Sequence, residues 1–304
     1  MTNSGNLLDS GLFSTPGDKI LLPLMGYPSE RDAMFFALVT AEYFGATLHV
    51  FHVASKSPKT EDFFQKEKDW LEEKSQELNV KLDIIVKNIN SRTRLDSVIL
   101  KEIEVLAPKL TIMMSRRKGL FQSFSGSIAE RVARRSPHSV MIIRSPIKDW
   151  VTYGSHVEPR KIVVPIGTNN PCEVSAVQIA IAIANAGKSR DADITLLHVI
   201  TVPETVPIIP DDDKLILQEE REFVKQAGMY STMLLWPMKT KVIIGRDIGR
   251  SVSHYLNKVN ADLSIMGVPF VPRRLFGLFG TDTNVIYHKS ECPVAVVFHK
   301  ESCH

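Results

Sequence analysis

The sequence predicts two tandem α/β domains, each a doubly wound parallel sheet of five strands. Three observations carry that prediction. Short continuous apolar runs alternate with helix-length segments along the whole chain. The runs do not alternate polar with apolar, as strands covered on both faces should not. And the second half repeats the first: Lys19-Ile20-Leu21-Leu22-Pro23 returns as Lys161-Ile162-Val163-Val164-Pro165, at an offset of 142. Leu48 to Val53 returns as Thr195 to Val199, pairing His52 with His198 at an offset of 146. Leu110-Thr111-Ile112-Met113 returns as Leu263-Ser264-Ile265-Met266, Gly126-Ser127 as Gly280-Thr281, and Ser139 to Ile143 as Pro293 to Val297 at an offset of 154. Slowly growing offsets indicate a duplicated domain. The period, about half the chain, is too long for a solenoid repeat. Two copies of one fold in one chain suggest an intramolecular pseudo-dimer.

In the first half, strands are expected at Ile20 to Leu24, Thr47 to Val53, Leu82 to Val86, Leu110 to Met114 and Val140 to Ile143. The helix from Ser29 to Phe44 starts at Pro28-Ser29-Glu30 and stops at Gly45, a C-cap signal. Glu61 to Leu78 is charged and amphipathic. Arg94 to Ala107 stops before Pro108, and Ile128 to Arg135 stops before Pro137. The second half repeats the order, with strands at Lys161 to Ile166, Asp193 to Ile200, Lys239 to Ile244, Asp262 to Met266 and Val294 to Phe298. Its helices are Glu173 to Ala186, Asp212 to Ala227, Ile248 to Val259 and Asp282 to Lys289. Strand-helix alternation with right-handed crossovers gives the doubly wound sheet. The expected boundaries are a disordered tail over 1–17, domains over 18–147 and 160–300, and a linker over 148–159.

The 304 residues, 44% hydrophobic and 23% charged with a net charge of +3, describe an ordinary globular protein. That balance gives no argument for a nucleic-acid partner. The apolar runs are strand-sized, so no membrane span is expected. No secretory start precedes the first strand, and the three cysteines form no CxxC pair, so a cytoplasmic protein with reduced thiols is expected. No three-ligand metal cluster suggests itself apart from the tail residues His299, Cys303 and His304, which read better as a chain end.

In doubly wound sheets ligands sit beyond the carboxyl ends of the strands. The segment from Met266 to Thr281, ending in Gly280-Thr281 before a helix and carrying Arg273 and Arg274, is therefore the first candidate. Glycine admits a phosphate close to the backbone, helix-start N–H groups point at it, and Thr281 adds a hydroxyl. A helix N-cap beside a surface loop is the plainer reading. Arg116-Arg117-Lys118 with Arg131, Arg134 and Arg135 reads as an anion patch or as solvated charge. His52 and His198 read as catalytic bases or, more often for such strand positions, as packed structural histidines. Met229 to Met238 reads as a core cluster near a helix end. No Walker A sequence occurs, and no nucleophile-base set repeats across the halves.

Strand-Pro at each start, strand-His-Val in the second strand, and Ala261-Asp262-Leu263-Ser264-Ile265-Met266-Gly267 … Gly280-Thr281 … Cys292-Pro293-Val294-Ala295-Val296-Val297 resemble the universal stress protein family. The resemblance implies the adenine nucleotide alpha hydrolase-like fold, often dimeric, which leaves room for a homo-oligomer. Many members bind ATP, so the resemblance implies ATP with Mg as the cofactor and an adenine nucleotide as a partner. Members that bind ATP carry a Gly-x2-Gly-x9-Gly-Ser/Thr loop. In the second half its positions fall on Gly267, Phe270, Gly280 and Thr281. In the first half they fall on Met113, Arg116, Gly126 and Ser127. The family's aspartate after the first strand is replaced by Met25 and by Gly167. The resemblance thus places the candidate nucleotide site at Pro165, Ile166, Gly167, Val199, Gly245, Gly267, Val268, Gly280 and Thr281, with Arg116, Gly126 and Ser127 as first-half candidates. It implies a stress-response binding module rather than an enzyme, slow ATP hydrolysis being the enzymatic alternative. The other reading is a scaffold in which Phe270, Met25 and Met113 close the pockets and the chain acts through a protein partner, such as a transporter or a regulated enzyme.

Overall fold

Apolar runs flanked by helices fold into covered parallel strands because neither face meets water. The computed structural model of the chain describes residues 12, 17–27, 30–54, 58–89, 93–115, 127–144, 151–152, 155–156, 159–167, 172–186, 192–205, 214–269 and 280–300. It divides into two compact units, Leu12–Val157 with Val296–Ser302, and Glu158–Ala295.

The N-terminal unit contains β1 (Lys19–Leu24), α1 (Arg31–Phe44), β2 (Thr47–Ala54), α2 (Pro58–Glu77), β3 (Leu82–Asn88), α3 (Leu95–Leu106), β4 (Leu110–Ser115), α4 (Ile128–Arg135) and β5 (Ser139–Arg144). Its strand order is β3-β2-β1-β4-β5. Every pairing is parallel. A short antiparallel hairpin, β6 (Val151–Thr152) with β7 (Ser155–His156), follows within the segment expected as linker.

The C-terminal unit contains β8 (Lys161–Pro165), α5 (Glu173–Asn185), β9 (Asp193–Thr201), α6 (Lys214–Met233), β10 (Lys239–Gly245), α7 (Ile248–Lys258), β11 (Leu263–Pro269), α8 (Thr281–Lys289) and the first two residues of β12 (Val294–His299), the rest of which falls to the N-terminal unit. The order is β10-β9-β8-β11, with β12 next to β11. In each unit the chain switches direction of winding beside its first strand, between β1 and β4 and between β8 and β11. The loops after those strands therefore flank the crevice where this fold class takes ligands.

The cores are as the apolar runs require. Ile20, Leu21, Leu22 and Leu24 are fully buried, as are Val164, Ile112, Val294 and Val296. Helix α5 is buried from Glu173 through Ala184, which suits a helix apolar on all sides. Gly45 ends α1 at φ 61°, its N–H meeting the carbonyls of Ala41 and Glu42. That is the left-handed C-cap the glycine signals.

Three expectations need correction. Helix α6 runs to Met233, so the segment from Met229 to Met238 is no core cluster. Its helical period turns Tyr230 inward at 3% exposure and Met229 outward, and Leu235 beyond the helix is 88% exposed. Strand β11 continues through Gly267 and Val268 to Pro269, so these two positions are strand rather than loop. Cys172 is buried and disulfide-bonded, against the expectation of reduced thiols, while Cys292 is buried and forms no disulfide. Phe270, Arg116, Gly126, Arg273, Arg274 and Cys303 lie outside the described residues.

Truncating the core strand by Ile112→Ala is expected to lower unfolding free energy by about 2–5 kcal/mol, whereas Leu235→Ser should stay within about 0.5 kcal/mol of the parent. Urea titrations of both variants check this. Equal losses would mean that Leu235 is packed after all.

Candidate functional site

The loop after the first strand of each unit is held by the chain itself, in the same way twice. In the N-terminal unit the Leu24 carbonyl accepts from His52 Nδ1 at 3.2 Å. The next amide, Met25 N–H, donates to both carboxylate oxygens of Glu30 at 3.0 Å, and Tyr27 N–H donates to Oε2 at 3.0 Å. In the C-terminal unit the Ile166 carbonyl accepts from His198 Nδ1 at 3.0 Å, and Gly167 N–H donates to Glu173 Oε1 at 2.7 Å. One peptide group is thus gripped at its oxygen by a histidine and at its nitrogen by a glutamate.

The histidines are structural for a physical reason. A carbonyl can only accept, so Nδ1 must carry the proton. Nε2 then faces Glu61 at 3.4 Å in His52 and Glu219 at 2.9 Å in His198. The His52 ring stacks on Phe64 with centroids 3.6 Å apart, and the His198 ring on Phe223 at 4.9 Å. Burial pushes the His52 pKa below the ordinary value, against the opposing pull of Glu61 and the Leu24 carbonyl. Nδ1 of each ring is held by the loop carbonyl and Nε2 faces a carboxylate of the second helix, so the contacts of each ring are made within its own unit.

Glu30 and Glu173 went unread in the sequence. Each stands at the start of its unit's first helix, where an acid reads simply as a complement to the helix dipole. The duplication gave only a loose signal, since Glu30 follows Pro23 by seven residues and Glu173 follows Pro165 by eight.

The glycines divide by what surrounds them. A Cβ on Gly267 would stand 2.8 Å from the Cys172 carbonyl carbon, closer still to its oxygen, and 3.0 Å from Glu173 Cα. The space that a phosphate needs beside this glycine is filled by the N-terminal backbone of α5. A Cβ on Gly245, at the end of β10, would press on the Ser251 side chain and lie 3.7 Å from Val199 Cγ1. Val199, Gly245 and the α7 start are thereby neighbours. Pro165 pairs with Leu197, Ile166 N–H bonds the Leu197 carbonyl at 2.9 Å, and Val268 is half-buried on β11. The candidates therefore gather at one edge of the C-terminal unit, with Thr281 exposed at the first turn of α8.

The two helix starts differ. Ser127 caps α4, its hydroxyl accepting from Glu130 N–H at 3.1 Å, and Ser115 Oγ donates to that same hydroxyl at 3.3 Å. At α8 the cap is Gly280, and no side chain caps the helix. Strand register also corrects one correspondence. Ile20 pairs with Leu110 and its counterpart Ile162 with Leu263, so Met114, not Met113, stands at the position of Gly267. Both methionines are buried. Among the described residues no cluster of three His, Cys, Asp or Glu side chains could hold a metal, and no helix is long and apolar enough to cross a membrane.

The model of the universal stress protein family matches residues 17–144 and 158–297. No curated protein matches the chain. Among solved structures, a protein from Pseudomonas aeruginosa UCBPP-PA14 described as a universal stress protein superposes with a TM-score of 0.62 at 15% identity, over 93% of this chain and 94% of that one. A functionally unknown protein from Pseudomonas aeruginosa PAO1 gives 0.58 at 15% identity, over 93% of each chain. A universal stress protein from Archaeoglobus fulgidus DSM 4304 gives 0.57 at 16% identity, over 96% of this chain and 99% of its own. At these identities the likeness is one of fold.

Gly267→Ala is expected to cost about 1–3 kcal/mol or more, because backbone must move. Gly245→Ala should cost less than about 1 kcal/mol, because only a serine side chain must turn. Equal costs in chemical denaturation would refute this account of Gly267. A second test concerns pH. The folded state holds the His52 proton more weakly than the unfolded state, so stability from this site is present above the ordinary histidine value of 6.5 and is lost as pH falls through the depressed folded value. Unfolding between pH 7 and pH 5 should accordingly show a smaller pH slope in His52→Gln than in the parent. An unchanged slope would count against a neutral buried ring.

Proposed function

From the premise that the chain belongs to the universal stress protein family, which its two halves both match, we propose that it is a stress-response binding module whose C-terminal unit takes an adenine nucleotide. The observation that supports this reading is the start of α8. Gly280 leaves the first turn without a side-chain cap, with the Thr281 hydroxyl exposed beside it. Backbone N–H groups at a helix start, together with a hydroxyl donor, suit phosphate oxygens. Pro165, Ile166, Gly167 and Val199 would border the base and ribose, and Gly245 and Val268 would line the approach. The N-terminal unit does not take part, because Ser127 spends its hydroxyl on its own helix and Met114 replaces the glycine at the strand end. The family resemblance makes Mg-ATP the ligand to test first. Residues of the C-terminal unit would bind and orient it. No general base stands among the described site residues, so binding rather than turnover is the proposed role.

A second reading has its own observation. Glu173 already holds the Gly167 amide, and α5 already fills the space beside Gly267. A site closed in this way fits a scaffold acting through protein partners.

Thermal unfolding with excess Mg-ATP, with AMP and GTP as controls, separates the two. A ligand at about 100 times its dissociation constant stabilises the native state by about 2.7 kcal/mol, a shift of about 2–8 °C for domains of this size. The nucleotide reading expects an ATP-selective shift that Thr281→Val reduces. No shift at millimolar ATP removes it and leaves the scaffold.

A further inference from the structure

The duplication supplies an internal control for the helix pair that follows β3 and β4. The ends of these helices align the units. Ala107 and Asn260 close α3 and α7 with φ of 48° and 49°. Ser136 and Ser290 close α4 and α8 by donating to Val132 and Ile286. Asp96 therefore corresponds to Gly249, Arg131 to Val285, Arg94 to Asp247 and Arg135 to Lys289.

In the C-terminal unit the pair meets at glycine, where the N-terminal unit has Asp96. A Cβ on Gly249 would stand 2.8 Å from both Val285 Cβ and the Asp282 carbonyl oxygen. Asp247 caps α7 by accepting from Arg250 N–H at 2.7 Å. In the N-terminal unit the same place holds a charge cluster. Asp96 is 1% exposed, and its Oδ2 meets Arg94 Nη2 at 3.0 Å, Arg135 Nη1 at 3.2 Å and Arg131 Nε at 3.6 Å. Arg94 takes the cap position of α3 and caps nothing with its side chain. A cation there opposes the helix dipole. Arg134 and the partly buried Glu130 sit on the same helix α4.

Two carboxylates, Asp96 and Glu130, face four guanidinium groups, those of Arg94, Arg131, Arg134 and Arg135. The Arg94 and Arg135 side chains remain 67% and 54% exposed, so their remaining donors face outward. Burial raises the Asp96 pKa, but the arginines more than offset it and hold the carboxyl below the ordinary range. It stays ionised as a fixed post around which the forks are set. The C-terminal unit builds the same fold with glycine and valine, so the fold does not require this cluster, and its cost at the α3 start needs another reason.

We propose that Arg94, Arg131 and Arg135 form a binding site for a phosphoryl oxyanion carried by a soluble small molecule. Guanidinium forks match phosphate oxygens two at a time, and set around a buried carboxylate they lose little freedom on binding. None of the three alternates with an aromatic side chain, so the cluster lacks the stacking platform of a nucleic-acid surface. The site lies in the N-terminal unit and is independent of the nucleotide reading at Thr281.

The test is calorimetric titration of the full chain with inorganic pyrophosphate at low ionic strength. Saturable binding is expected, weakening as salt rises. The double variant Arg94→Gln/Arg135→Gln should bind at least about tenfold more weakly. The variant takes two partners from the buried Asp96, so a lowered unfolding midpoint is expected; titrated well below that midpoint it should keep any ATP-induced shift, while Thr281→Val should retain the part of pyrophosphate binding that the double variant loses. Lys289→Gln, at the equivalent position of the other unit, should bind like the parent. Absence of saturable binding overturns the proposal. So does a double variant equal to the parent, or a Lys289→Gln loss as large as that of the double variant, which would indicate diffuse charge. Retention on phosphatidylcholine vesicles containing phosphatidic acid, without binding of free pyrophosphate, would also overturn it in favour of a membrane surface.

Discussion

The grip on the peptide group after the first strand is the constraint on which both units depend. That peptide lies where the sheet changes winding direction, with its carbonyl buried and its amide partly buried. Left unmade, each such buried group would cost about 1–3 kcal/mol. His52 and Glu30, and again His198 and Glu173, meet that need from two different elements. The second strand, the first helix and the loop are thereby tied together, and the second helix joins through Glu61 or Glu219. The same tie sets the chemistry of the crevice. A loop whose amide already faces a carboxylate presents less positive potential to an incoming phosphate than a bare loop does.

Duplication with divergence has left the two crevices unlike. The first unit fills its strand end with methionine and spends its serine on a helix cap. The second keeps glycines but lets α5 lie against one of them. Away from the crevice the contrast runs the other way, because the first unit carries the concentrated charge around Asp96 and the second packs glycine against valine. The units share an architecture and a grip, and differ wherever a ligand would be read.

The strands and helices were legible because apolar runs, Gly45 and the two prolines after α3 and α4 report on local backbone alone. Ends moved by one to three residues except at α6, where a polar start and a long amphipathic period concealed six further residues, Gly228 to Met233. The structural role of His52 and His198 was also legible, since both recur at one strand position. Glu30, Glu173 and Asp96 were not. Their partners come from other elements or from backbone, and a carboxylate at a helix start looks the same in sequence whether it caps, complements a dipole or anchors arginines. Gly267 was identified correctly as a place of close approach, but the approaching group was misassigned.

That misassignment has a consequence for any sequence pattern built on such loops. Gly267 satisfies one position of a nucleotide signature, yet the demand for a missing side chain there comes from Cys172 and Glu173. Selection on packing alone would preserve it after every trace of ligand binding had gone. A pattern that scores this glycine as a vote for phosphate is therefore counting a steric tolerance as information about chemistry. The informative letters in a chain like this one are those, such as Thr281, whose side chain makes no hydrogen bond among the described residues.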